Sequence, residues 1–219
     1  MTRILFVSLF TATLTMTALS QTQNQPENTP VCSLSLSQAP AIRGIRLGMK
    51  PDEWLKLFPG SAQDEKIKAI LDRPAQYPEY GRNIITFSPA SNQNQFGYLP
   101  KEGFSGVDRV SLILFDNQIV SIGVNYAPTD IKGNPYIWDD VSQLIDIFSE
   151  TFNLPKIYAW DKKSSRQAVL QCPGFKLELG ITAAAAVATA QLSLKSDYEQ
   201  IIIQRAEADK QKGRAAFKP

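Results

Sequence analysis

VDRVSLILFDNQIVSIGVNY, residues 107–126, alternates apolar and polar side chains on both sides of a turn. Val110, Leu112 and Leu114 share one face, and Arg109, Ser111 and Ile113 share the other. After Asp116-Asn117, Val120, Ile122, Val124 and Tyr126 alternate with Ser121, Gly123 and Asn125. A period of two marks strands buried on one face. Asp-Asn tolerates the left-handed backbone that a tight hairpin needs. The stretch therefore predicts an antiparallel hairpin with one wet face, and an antiparallel sheet around it.

Further elements follow on both sides. Before the hairpin, Pro51, Asp52 and Glu53 suit the first turn of a helix that carries Trp54, Leu55 and Phe58 at helical spacing, with Pro59-Gly60 as its stop. Residues 63–72 predict a second short helix with Ile67, Ile70 and Leu71 on one side. Residues 83–87 (NIITF) read as a strand, and Cys32, Leu34 and Leu36 alternate in a candidate short strand. After the hairpin, Trp138, Val141, Leu144, Ile145, Phe148 and Phe152 recur at three- and four-residue steps, which predicts a helix over 138–152. Residues 168–172, 175–181 and 190–194 predict strands, with the alanines 183–186 as a connection. Residues 197–219 read as a polar helix that frays into a charged tail, docked by Ile201 to Ile203. The order of elements predicts an α+β fold: an antiparallel sheet packed by two main helices, in two related helix-plus-sheet halves, with a C-terminal polar helix.

The N-terminus, MTRILFVSLFTATLTMTALS, has one basic residue, an apolar stretch over 4–14 and small residues at Ala18 and Ser20. This is the pattern of a signal peptide over 1–20, and it predicts export to the periplasm or beyond. Residues 21–31 then form a flexible mature N-terminus, residues 32–195 one α+β domain, and residues 196–219 a tail. Cys32 and Cys172 are the only cysteines. In an oxidising compartment an even pair predicts a disulfide. No later stretch is apolar enough to span a bilayer once the leader is removed.

Composition excludes several chemistries. The chain has no histidine, so Ser-His-Asp and Cys-His catalysis and His-ligated metals are ruled out. Two cysteines are too few for a thiolate zinc site or an iron–sulfur cluster. With 23 basic and 21 acidic residues, the charge balance does not provide a nucleic-acid footprint. No phosphate-binding loop or dinucleotide fingerprint occurs, and no metal or cofactor is expected. The tail carries Arg205, Lys210, Lys212, Arg214 and Lys218 against Glu207 and Asp209, which reads as a solubilising end.

The segment Gly44-Ile45-Arg46-Leu47-Gly48-Met49-Lys50-Pro51-Asp52-Glu53-Trp54 resembles the L-G-M-[ST]-x-x-[ED]-[VW] helix start of small exported bacterial α+β modules. These include the small lipoproteins of the outer-membrane assembly machinery and β-lactamase-inhibitor-like domains. Lys50 stands where that pattern has a Ser or Thr cap, and no lipid-attachment cysteine is present. The resemblance implies a helix packed on an antiparallel sheet and a bias toward protein binding, and it carries over no functional residue.

The long connection 89–106 carries Phe96, Tyr98 and Phe104, with Arg109 at its flank. Aromatic rings and arginine on a loop are the residue types of a partner-binding surface. They also suit rings folded back over the sheet. The reading taken is an exported, non-enzymatic module that binds a protein or a cell-envelope component through Phe96, Tyr98, Phe104 and Arg109. The alternatives are a hydrolase of cell-wall or carbohydrate material built on paired Asp/Glu, and a small-ligand carrier with an apolar cavity.

Overall fold

In the computed structural model, residues 31–72, 81–90, 95–127, 138–182, 187–195 and 198–216 are described. The expected signal peptide, residues 21–30 of the expected mature N-terminus and the alanine connection 183–186 lie outside the described residues.

Seven strands form one antiparallel sheet: β1 Arg82–Phe87, β2 Val107–Phe115, β3 Gln118–Tyr126, β4 Asp161–Ser164, β5 Gln167–Gln171, β6 Phe175–Ile181 and β7 Ala188–Leu194. Their order is β1-β2-β3-β7-β6-β5-β4. Two meanders, β1–β3 and β4–β7, thus meet through their last strands. Each meander is preceded by helix: α1 Pro51–Trp54 and α2 Glu65–Leu71 in the first half, α3 Val141–Phe152 in the second. The α+β class with an antiparallel sheet is as the alternation requires. The hairpin turn has both Asp116 and Asn117 in the left-handed region, at φ 47° and 64°. That is the turn whose twist matches two paired strands.

One face of the sheet is buried from β1 to β5. Phe87, Val110, Val124, Ala190, Leu179 and Ala168 pair in sequence across six strands, and all are buried. Trp54 and Phe58 cover the β1 end, with Phe58 stacked on Phe87 at 3.8 Å. From α3, Val141, Leu144, Ile145 and Phe148 cover the other half. Burying such side chains stabilises by roughly 1.5–3 kcal/mol each.

Four local expectations change. Residues 32–37 form no strand: Leu36–Gln38 is a 3₁₀ turn, and the bridge-bearing Cys32 is buried. A side chain at Gly174 would meet Leu36 at 2.8 Å, so this segment lies directly on the β5–β6 turn. Helix α3 starts at Val141, three residues later than the apolar spacing suggests. Asp140 caps it, its carboxylate accepting from the Ser142 N–H at 2.8 Å. Strand β4 was not expected, because its residues, Asp161 to Ser164, are all exposed. Of the residues expected to dock helix α4, Tyr198–Ala216, Ile202 is half-buried, whereas Ile201 and Ile203 are 38% and 53% exposed. Arg205 also holds it. Its guanidinium donates to both carboxylate oxygens of Asp116 at 2.8 Å and lies 4.8 Å from the centre of the Phe115 ring.

The expected disulfide is present: Cys32 and Cys172 are bonded, 140 residues apart. Closing so long a loop in the unfolded chain corresponds to about 5 kcal/mol by chain entropy, an upper figure. The double variant Cys32→Ala/Cys172→Ala is expected to lose ~2–5 kcal/mol in denaturant unfolding. Reductant is expected to lower the midpoint of the wild type and leave the variant unmoved.

The Lys162 ammonium donates to the Asp140 carboxylate at 2.8 Å. This hydrogen bond, with those from the Ser142 hydroxyl and N–H, holds the Asp140 carboxyl at about 2, below its ordinary 3.8. A depressed folded-state value gives stability that is present above the ordinary value and lost as pH falls through the folded one. Asp140→Asn is therefore expected to be less stable than wild type at neutral pH, and the gap should close between about pH 4 and pH 2. Chemical unfolding across that range checks this.

Candidate functional site

The face of the sheet turned away from α1, α2 and α3 carries Phe115, beneath Arg205 of α4, at its β2 end, and is mostly polar over β3, β7, β6 and β5, where cross-strand register assembles it. One row runs Arg109, Asn125, Thr189, Gly180, Gln167 from β2 to β5. The next runs Ser111, Gly123, Gln191, Glu178, Val169 over the same strands. Each position alternates with a core residue, so strand periodicity alone sends these side chains outward.

Between the rows lies a depression of about 490 Å³, open to solvent. Its lining includes Asn125, Gln167, Glu178, Thr189 and Gln191, and its floor includes Gly123 and Gly180. At the β4–β5 end it is closed by Ser164 and Arg166. The Arg166 N–H donates to Ser164 Oγ at 3.1 Å, which shapes that turn. From β7, Gln191 Nε2 donates to Ser121 Oγ of β3 at 3.4 Å. Glu178 is ion-paired with Lys176 on its own strand.

The two glycines differ. A side chain at Gly180 would meet Thr189 Oγ1 at 2.8 Å, so the fold itself asks for glycine there. At Gly123 the nearest atoms to an added Cβ, in Ser111, are 3.7 Å away, an ordinary contact. Packing does not require glycine at 123, and glycine inside a strand costs roughly 0.5–1 kcal/mol relative to alanine. Close approach of another chain or ligand is one of the uses of a bare position in a strand, beside bulges and bends.

The residues singled out in the sequence fall in two places. Arg109 lies on the polar face, paired in register with Asn125. Phe104 is 5% exposed, with its ring 5.5 Å from Phe58. Phe96 is half-buried at 6.2 Å from Phe87. Tyr98 is half-buried and its hydroxyl donates to Asp64 Oδ2 at 3.0 Å. Burial raises the Asp64 carboxyl, but hydrogen bonds from Tyr98, Ile67 and Lys66 outweigh it and leave it below its ordinary value. That same bond raises the Tyr98 phenol. The three rings thus close the α1–β1 end of the core, away from Arg109. Sequence reading passed over Asn125, Gln167, Glu178, Thr189 and Gln191. The one signal that points to them is a glycine inside each of two well-patterned strands.

Chemically, the depression offers amides, hydroxyls, one guanidinium and one carboxylate. This set holds a polar surface by hydrogen bonds. Among the described residues no cluster of three or more Cys, Asp or Glu is arranged to hold a metal. No helix of the described residues is long and apolar enough to cross a membrane. The chain matches no family model, no curated protein and no solved structure.

If packing does not need glycine at 123, Gly123→Ala is expected to stabilise the fold by ~0.5–1 kcal/mol. Thermal and denaturant unfolding read this directly. A loss of stability would assign the glycine to the fold.

Proposed function

We propose that the protein is an exported, non-enzymatic module that binds another protein, or a cell-envelope component, through the polar face of its sheet. The observation that carries this reading is the open depression floored by Gly123, a glycine that costs stability and that packing does not ask for. Asn125, Gln167, Thr189 and Gln191 are suited to hydrogen-bond a polar partner. Among the described residues, Glu178 is the single carboxylate in the lining, whereas glycoside hydrolysis uses two.

Export is supported by the leader-like residues 1–20 and by the Cys32–Cys172 bridge, a bond typical of oxidising compartments. The resemblance of residues 44–54 to small exported bacterial modules points the same way and adds the bias toward protein partners.

The test is affinity capture from native envelope extract with the mature, oxidised protein. Gly123→Leu fills the floor, and Glu65→Gln, on an exposed helix position, is the control. Wild type and the control are expected to retain one specific species that Gly123→Leu loses by about tenfold or more. Equal retention by Gly123→Leu, or no species retained by wild type, would overturn the proposal.

A further inference from the structure

On the helix side of the sheet, remote from the polar face, a second cleft has the opposite character. It encloses about 450 Å³ between α3, the end of β3 and the turn that carries Arg43. That volume lies within the range of small-molecule sites, roughly 300–1,000 Å³. Its walls are Trp138, Leu144, Phe148 and Phe152 on one side and Tyr126 on the other. Tyr126 meets Phe148 edge-on at 6.3 Å, and Phe148 lies 5.5 Å from Phe152. Ile147, also in the lining, is 48% exposed. An exposed isoleucine at the rim of an aromatic cleft is apolar surface that the described residues leave partly uncovered.

Among the described residues, Arg43 is the one charged residue that lines the cleft. It sits in a tight turn closed by the Ile45 N–H on the Ile42 carbonyl at 3.0 Å. Both central residues, Arg43 and Gly44, have positive φ, 54° and 83°. Such a turn favours Asn, Asp or Gly, and a long side chain there is strained. Strain of this kind collects at ligand sites. The turn presents the Arg43 guanidinium at the cleft, where one of its five N–H donors is taken by the Ser105 carbonyl at 2.9 Å. The Tyr126 hydroxyl has no hydrogen-bond partner among the described residues. Burial pushes this phenol up to about 12, with Arg43 acting weakly in the other direction. It is therefore a donor at any physiological pH.

We propose that this cleft binds a soluble single-chain amphiphile with one carboxylate, of the medium-chain fatty-acid class. The chain lies against Trp138, Phe148 and Phe152, and the carboxylate is held by Arg43 and the Tyr126 hydroxyl. A guanidinium and a phenol are two charge-assisted donors for one anion, and a wholly apolar ligand would leave both unused. This site is independent of the polar face, so either can fail without the other.

Calorimetric titration of the mature, oxidised protein with decanoate at monomeric concentration tests it, with decyltrimethylammonium as the chain of opposite charge. Decanoate is expected to bind at one saturable site, with the cation weaker by about tenfold or more. Arg43→Asn suits the turn and should keep or raise the melting temperature, while decanoate affinity falls by about tenfold. Ile147→Glu, at an exposed position, puts a carboxylate at the rim and should reduce decanoate binding at least as much. Gly123→Leu, on the other face, should leave it unchanged. No binding of decanoate, equal binding of the cation, or unaltered affinity in Arg43→Asn and Ile147→Glu would each overturn the proposal.

Discussion

The pairing of β3 with β7 is the contact on which the rest of the structure depends. Residues 121–125 run antiparallel to 189–193, and through them two three- to four-stranded meanders become one sheet. Small sheets of that size are marginal in isolation unless a hydrophobic face is covered. Joined, they present a continuous apolar floor in which Ile122, Val124, Ala190 and Leu192 are buried at the seam itself. The helices of each half then share one core. The same five pairs send Gly123, Asn125, Thr189 and Gln191 to the other side. A one-residue slip at this seam would exchange the two sets. Core and polar face are thus fixed by a single register.

Two long-range ties hold the ends of the chain to that sheet. The disulfide fastens Cys32 to the turn after β5, and Leu36 packs on Gly174 in the same turn. At the far edge, the forked Arg205–Asp116 pair lays α4 against the β2–β3 turn. The two ties differ in kind. The covalent one acts mainly by restricting the unfolded chain. The ion pair is partly exposed, and such pairs stabilise by well under the value of a buried one. The N-terminal segment is therefore firmly part of the body, and α4 is the more weakly held.

The hairpin 107–126, the helix read over 138–152 apart from its first turn, and strands β1, β5, β6 and β7 were legible in the sequence because each has a clear period and a turn or cap at its end. Failures occurred where a tertiary partner decides. Cys32 to Ser37 alternates like a strand, but its neighbours offer a covalent bond and a close packing contact instead of a free sheet edge. Asp161 to Ser164 has no apolar residue at all; it is an edge strand, where lysine is favoured because it discourages pairing with other chains. Ile201 to Ile203 looks like an anchor by hydropathy alone, but of the three only Ile202 is half-buried, and a further hold comes from Arg205 meeting Asp116, 89 positions earlier. Of the candidate residues, Arg109 was singled out as the charge flanking the 89–106 connection, and register places it on the outer sheet face. Its neighbours were not, since outward polar residues occur on every half-buried strand and only register shows which of them meet.

Both candidate sites are marked by a residue that opposes local stability. Gly123 lies inside a strand where alanine would fit, and Arg43 occupies a left-handed turn position where asparagine or glycine would be easier. Neither departure is explained by the packing around it: a Cβ at 123 would make only an ordinary contact with Ser111, and the Arg43 contact with Ser105 is one exposed hydrogen bond. Local rules are consistent almost everywhere else in the chain, from the caps of α2 and α3 to the hairpin turn. In a sequence that otherwise agrees with its fold, such exceptions are expected where function opposes stability. Their positions on opposite faces of one sheet argue for two separate binding surfaces, a polar one open enough for a macromolecule and an apolar one sized for a small anion.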